Sequence, residues 1–418
     1  MEAIIALIEK GDRDGAIDGF KAFLLERPGD VDAHKAFAAL LISAGRFDEA
    51  RKELEAVIAL APKSAESAYL LAMLEAASGR RDAEKAALER AIATDPSHAD
   101  ALARMGQVLA SERQSAKAEQ FYLRSLIADG ANFQALIGMG RLRYAAKKDA
   151  EALDYYGKAI AVDPSNPLGW SLRSRVRDEM RDYEGALSDI DRALALDPEA
   201  EWNHIDRGRI LIDMGRSEEA VAAFGRAIAL EPDYYLPYVY RGGVNMDLGR
   251  DAEAVSDYEA VARLNPEYYY AYEALGLLYF KMGNWAKSRA AFIEIFAKRQ
   301  ENYSYAMLIA LTLLKERDFK EAKAFLAKLL PKLDRESNLY RVMRLYHDQA
   351  NDAEVLTVVS KEPTLLERAR LLYYMGQFYA VMGNEQVAMR CFTQVRDLKI
   401  EGNMECMMAK WEIDAAAK

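Results

Sequence analysis

Cysteine is nearly absent from this chain: Cys391 and Cys406 are the only two in 418 residues. They offer neither a disulfide framework nor the spacing of a metal site. Histidine is as scarce. His34, His98, His204 and His347 have no partner at metal-ligand spacing, so no metal site is expected. His204 falls where a packing aromatic is expected, and Cys391 reads as a small buried hydrophobe. Positive charge is outweighed, with 56 Lys and Arg against 66 Asp and Glu and a net charge of −10. Non-specific nucleic-acid binding needs the opposite balance, so no nucleic-acid partner is expected. No apolar run approaches the roughly 18 to 20 residues of a membrane-spanning helix. The stretch from Met1 to Lys10 is amphipathic and carries Glu2 and Glu9, unlike a secretory leader. The phosphate-binding, zinc-protease, nucleophile-elbow and dinucleotide motifs are all missing. Gly138-Met139-Gly140 and Gly242-Gly243 fall inside expected helices, where close packing explains them. The sequence therefore predicts neither an enzyme nor a cofactor site.

What the chain has is hydrophobic mass, at 51%, and a period. Pro28, Pro62, Pro96, Pro164, Pro198, Pro232 and Pro266 lie on one 34-residue ruler, a sign of stacked units. Twelve residues before most positions of this ruler an alanine recurs, as at Ala16, Ala50, Ala118, Ala152, Ala186, Ala220 and Ala254. Eight before it is a large side chain, such as Phe20, Tyr122, Tyr156, Phe224, Tyr258 or Phe292. Twenty-four before it is a small residue: Gly106, Gly140, Ser174, Gly208, Gly242 and Gly276. Gly45, Gly79, Gly215, Gly249 and Gly283 close the first helix of their repeats. Each repeat is expected to be an antiparallel helix pair. Glycine permits its turn, small residues let the helices approach, and proline ends the second helix.

These marks resemble the tetratricopeptide repeat (TPR) family. Trp170, the set Leu275-Gly276, Tyr279 and Phe292, and the run from Gly215 through Ala220, Phe224 and Ala227 to Pro232 carry the likeness. The resemblance implies an all-α fold, a right-handed superhelical solenoid of antiparallel helix pairs with a C-terminal capping helix. About twelve repeats fit the chain length at this period. Residues 1–336 form the regular array with a partial first repeat, 337–368 a degenerate repeat, 369–402 a further repeat, and 403–418 the cap. The first repeat begins at its middle, which suits either a half-formed cap or a removed upstream leader.

By the same resemblance the first helices line a concave groove, and repeat positions 2, 5, 6, 9, 12 and 13 face it. This assigns Arg104, Gln107, Arg141, Tyr144, Arg175, Glu179, Trp202, Arg209, Asp213, Tyr240, Asp247, Tyr270 and Phe280 as candidate partner-binding residues between about residues 100 and 285. The arginines would grip carboxylates or carbonyls, and the aromatics would hold side chains. A competing reading pairs Arg175 with Glu179 and Arg209 with Asp213 as ordinary ion pairs four residues apart. Arg141 has Ala145 at that spacing and is the better candidate. Arg173, Arg207 and Arg241 form a second series, in which Asp189 and Asp257 follow Arg173 and Arg241 by sixteen residues. These are expected to be ion pairs between the two helices of a repeat. The carboxylate clamp of the chaperone-tail adaptors is not reproduced: the repeat with Arg209 carries Ile205, followed by Tyr240, Tyr270 and Ala274.

The expected function is a non-enzymatic scaffold or adaptor that takes a protein or peptide partner in the groove. Two alternatives are a self-assembling platform and a substrate-selecting regulatory subunit of a separate enzyme, such as an envelope protease or glycosyltransferase. The C-terminal end is loosely similar to those of bacterial TPR adaptor lipoproteins. The default location is cytoplasmic, or the periplasm and envelope if a leader has been removed. Charge is segregated, with 20 acids and 8 bases in residues 182–278 against 6 acids and 12 bases in 281–335. That asymmetry suits a complementary partner or head-to-tail self-association.

Overall fold

The computed structural model describes residues 1–417, which hold 25 α-helices and no strand. The helices come in consecutive pairs. The first four are α1 (Glu2–Glu9) with α2 (Arg13–Glu26), and α3 (Val31–Ser43) with α4 (Phe47–Leu60). Next are α5 (Ala65–Ala77) with α6 (Arg81–Thr94), and α7 (Ala99–Ser111) with α8 (Ser115–Ala128). Then follow α9 (Phe133–Ala145) with α10 (Asp149–Val162), and α11 (Pro167–Glu179) with α12 (Tyr183–Leu196). The middle of the chain continues with α13 (Glu201–Asp213) and α14 (Ser217–Leu230), then α15 (Leu236–Asp247) and α16 (Asp251–Leu264). Beyond them are α17 (Tyr270–Lys281) and α18 (Trp285–Lys298), then α19 (Tyr303–Lys315) and a short α20 (Phe319–Ala327). The last five are α21 (Asn338–Asp348), α22 (Asp352–Val359), α23 (Leu365–Val381), α24 (Glu385–Asp397) and α25 (Met404–Ala416). The chain divides into two compact bodies, one ending at Asp206 and one starting at Arg207.

The periodic marks each have a physical counterpart. Where a ring stands eight residues before the mark, it lies on the small residue sixteen positions earlier. A Cβ added to Gly140 would stand 2.7 Å from Cδ1 of Tyr156, and one on Gly106 equally close to Tyr122. Gly208 and Phe224, Gly276 and Phe292, and Gly376 and Phe392 repeat the arrangement. The connecting loops are tied on the same ruler. Asp30, Ser64, His98 and Asn132 each cap the following first helix by accepting from a backbone N–H three residues on. Such caps contribute about 1 kcal/mol apiece. Trp170 Nε1 donates to the Pro164 carbonyl at 3.1 Å, and the Tyr238 hydroxyl donates to Pro232 at 3.1 Å. His34 and His204 place Nε2 on the carbonyls of Pro28 and Pro198 at 3.1 and 3.0 Å. His204 is thus a structural residue, as its position suggested.

The turn after each first helix is left-handed whatever residue fills it. Gly45, Gly79, Gly215, Gly249 and Gly283 have φ of 72°, and Arg113, Lys147, Arg181 and Arg317 occupy the same position at 57° to 63°. The four cationic residues accept a conformation that costs an L side chain roughly 1 kcal/mol.

The paired charges within repeats are present. Arg173 binds both oxygens of Asp189 at 2.8 and 2.7 Å, and Arg177 adds a bond to the same carboxylate at 2.8 Å. Arg241 binds Asp257 at 2.6 Å. Asp189 and Asp257 are both buried, so each needs its guanidinium.

Regularity fades from α20, which ends at Ala327 and is followed by a 3₁₀ turn, Leu330–Lys332. In the next pair, Gln349 and Asn351 both adopt left-handed backbone between two shortened helices. Large rings fill the core here, with Tyr346, Tyr373, Tyr374 and Phe392 almost wholly buried. The capping helix does more than close the end of the array. α25 packs on α23 and α24, and its side chains also reach the first helices α19 and α17. The buried Glu405 carboxylate accepts from the hydroxyls of Ser304 on α19 (2.6 Å) and Tyr374 on α23 (3.2 Å). Gln377 donates to Glu412 at 2.7 Å, and the Lys281 ammonium of α17 lies 5.2 Å from the centre of the Trp411 ring.

Candidate partner-binding surface

In the N-terminal body, α7, α9 and α11 carry six of the candidate residues, and their sequence neighbours explain how each is held. Arg104 on α7 donates to Glu84 of α6 at 2.6 Å and to Gln107 at 3.0 Å. These three line a shallow cavity of about 300 Å³ with Arg81 and Ser111. Two helix pairs further on, Arg175 does not pair with Glu179 as the four-residue spacing suggested. Its guanidinium bonds Asp206 of α13 at 2.8 Å. Glu179 instead accepts from the Tyr144 hydroxyl and from Lys147, whose ammonium lies 3.1 Å away. Burial first, and then the bond to Glu179, push the Tyr144 phenol well above its ordinary value. Sequence reasoning missed Asp206 and Glu84 because both partners sit on a neighbouring helix.

Arg141 stands apart. It is exposed on α9, with neither hydrogen bond nor ion pair to another described residue. Its charge reaches the buried hydroxyls of Tyr122 and Tyr156, opposing the burial that pushes each phenol up to about 12. Its flanking cations, Arg104 and Arg175, are both spoken for. An unpaired guanidinium on a face of satisfied polar groups is free to bind a carboxylate or carbonyl from outside, bidentately in the carboxylate case.

Trp202 and Arg209 lie exposed on α13, neither isolated from its neighbours. In the C-terminal body Asp213 and Asp247 are exposed near the ends of α13 and α15. Two aromatics were expected to face a partner and are instead taken up by packing. Phe280 is only 4% exposed and meets Trp285 edge-on, ring centres 5.0 Å apart. Tyr240 is half-buried and stacks on Phe224 at 5.3 Å. Tyr270 is the opposite, 52% exposed and 4.3 Å from the Tyr269 ring. Rings at Tyr235, Tyr268 and Tyr270 continue as a chain of contacts at 5.4 and 5.8 Å.

Among the described residues no group of three or more His, Cys, Asp or Glu side chains is placed to hold a metal. No described helix is long and apolar enough to cross a membrane. Both cysteines are free, and burial pushes the Cys391 thiol up to about 11.

Helix pairs in 34-residue phase through α19, many of them with a ring packed on a small residue, define a helical-repeat protein. Two family models, both described as tetratricopeptide repeat, match residues 7–74 and residues 69–133, 205–269 and 273–337. The chain belongs to the tetratricopeptide repeat family, whose repeats serve as protein–protein interaction scaffolds. Among solved structures it is similar to a tetratricopeptide repeat protein from Parabacteroides merdae, 17% identical, covering 60% of this chain and 98% of that one with a TM-score of 0.42. Similarity extends to PilF of Pseudomonas aeruginosa, at 19% identity, 49% and 92% coverage and a TM-score of 0.45. YrrB, described as a TPR protein with an unusual peptide-binding site, is 20% identical, with 45% and 96% coverage and a TM-score of 0.40. No curated protein matches the sequence.

Proposed function

We propose that this chain is a non-enzymatic adaptor that takes a peptide or partner segment along the α7–α9–α11 face of its N-terminal body, with Arg141 as the anchor. The observation that carries this reading is the exposed Arg141 guanidinium, unpartnered between two arginines that are paired. Such a group can take an incoming carboxylate without first giving up an internal bond. Tyr144 and Glu179, already bonded to each other, present a fixed polar rim beside it.

The test is capture from a cell lysate on immobilised protein, run beside Arg141→Ala and Arg141→Glu. A bound protein lost by both variants, with helicity by circular dichroism unchanged, supports the reading. A partner retained equally by both variants removes Arg141 from recognition and overturns it. Light scattering over a concentration series, run on the same preparations, reads self-association separately.

A further inference from the structure

In the C-terminal body α25 roofs a cavity of about 950 Å³ over the ends of α15, α17 and α19. That volume is within the range of sites for small ligands. Its apolar walls are Phe280, Trp285, Met407 and Trp411. Two tryptophans and a methionine give flat, polarizable surface suited to an aryl or branched apolar group.

The charges on the walls are not equivalent. Lys281 is satisfied, bonded to Asp251 at 2.7 Å and set over the Trp411 ring. Lys315 is not. Its ammonium lies 5.8 Å from the centre of the Trp285 ring, and no carboxylate of a described residue stands within ion-pair distance. The one charge that bears on it is Glu412, whose carboxylate accepts from Gln377. Burial pulls the Lys315 ammonium below its ordinary value, the mark of a cation withdrawn from water without a contact anion. Lys410, Asp247 and Asp414 also border the cavity, but all three are exposed, where solvent and salt screen them. The withdrawn charge therefore outweighs the exposed ones in selecting a ligand.

We infer that this cavity binds an amphiphilic carboxylate, an apolar body seated between Trp285 and Trp411 with its carboxylate on Lys315. Because α25 supplies one wall, the bound molecule also fastens that helix to α17 and α19.

The experiment is calorimetric titration of the full chain with 4-phenylbutyrate and with 4-phenylbutanamide, which shares the body and lacks the charge. The acid is expected to bind on the order of tenfold more tightly than the amide, the scale of one charge-assisted hydrogen bond. Lys315→Met should abolish that preference and Lys315→Arg should keep it, while Trp411→Ala should weaken both compounds. Hydrogen exchange in residues 404–416 should slow when the acid is bound. A capped peptide carrying Phe beside Asp, added as competitor, tells whether peptide side chains supply this chemistry as well as free acids. Absence of binding by either compound, equal binding of acid and amide, or a preference that survives Lys315→Met would each overturn the inference.

Discussion

Gly140 and Gly243 are both helical glycines, yet alanine should act on them with opposite sign. At Gly140 the added methyl would stand 2.7 Å from Cδ1 and 2.9 Å from Cζ of Tyr156, and closer still to Cε1. That ring is rigid and only 1% exposed, so it cannot swing aside as a flexible chain end would. Ordinary carbon contacts begin near 3.5 Å. The α9–α10 pair must therefore open or distort, at about 1–3 kcal/mol for overpacking. Alanine returns roughly 1 kcal/mol of helix propensity, which leaves a net loss of up to about 2 kcal/mol. At Gly243 the nearest atom is the Tyr258 hydroxyl oxygen at 3.6 Å, an ordinary contact. Only the propensity gain applies there, so Gly243→Ala should stabilise by up to roughly 1 kcal/mol. Repeat arrays open locally, and the assay should be hydrogen exchange followed separately over residues 133–162 and 236–264. Protection should fall in the first segment of Gly140→Ala and rise in the second segment of Gly243→Ala. Unchanged or greater protection in Gly140→Ala would refute the claim that ring-on-glycine contacts set the spacing within a repeat.

Asp189→Ala strips the acceptor from both Arg173 and Arg177 and should cost about 3 kcal/mol in chemical denaturation, whereas Asp154→Ala, which breaks an exposed pair with Lys158, should cost under about 0.5 kcal/mol. Arg113→Gly relieves a left-handed arginine with φ of 61° and should raise stability by about 1 kcal/mol in the same measurement. Glu405→Ala removes the acceptor shared by Ser304 and Tyr374, and exchange in residues 404–416 should accelerate by at least tenfold. Stability should fall as pH rises from about 10 to about 12, because Tyr122, Tyr156 and Tyr258 stay protonated when folded and ionise earlier when unfolded. The unfolded chain then binds fewer protons, and Tyr156→Phe should reduce the slope of an alkaline titration followed by circular dichroism.

The sequence by itself determined whatever is repeated and local. Tyr156 on Gly140 and Arg241 on Asp257 are both sixteen residues apart, a separation that a two-helix repeat fixes by its own geometry. Pro164 before Trp170 carries the loop in the same way. Such contacts lie within one repeat or in the loop that joins it to the next, so a period of 34 residues exposes them all at once. The left-handed turn was only half legible, because glycine advertises it at Gly45 while Arg113 hides the same backbone. Tertiary structure decided the rest. Arg175 had Glu179 one turn away, yet it bonds Asp206, and Glu179 takes Tyr144 and Lys147. Long side chains choose among several acceptors by where the next helix places them, and spacing along one helix does not rank those choices. Phe280 kept the expected position on its helix and lost its exposure to Trp285 and to the body that α25 closes. Nothing periodic marks α25, since it has no counterpart in the other repeats. Among the contacts that place it, the buried Glu405 carboxylate finds hydroxyls 101 and 31 residues away.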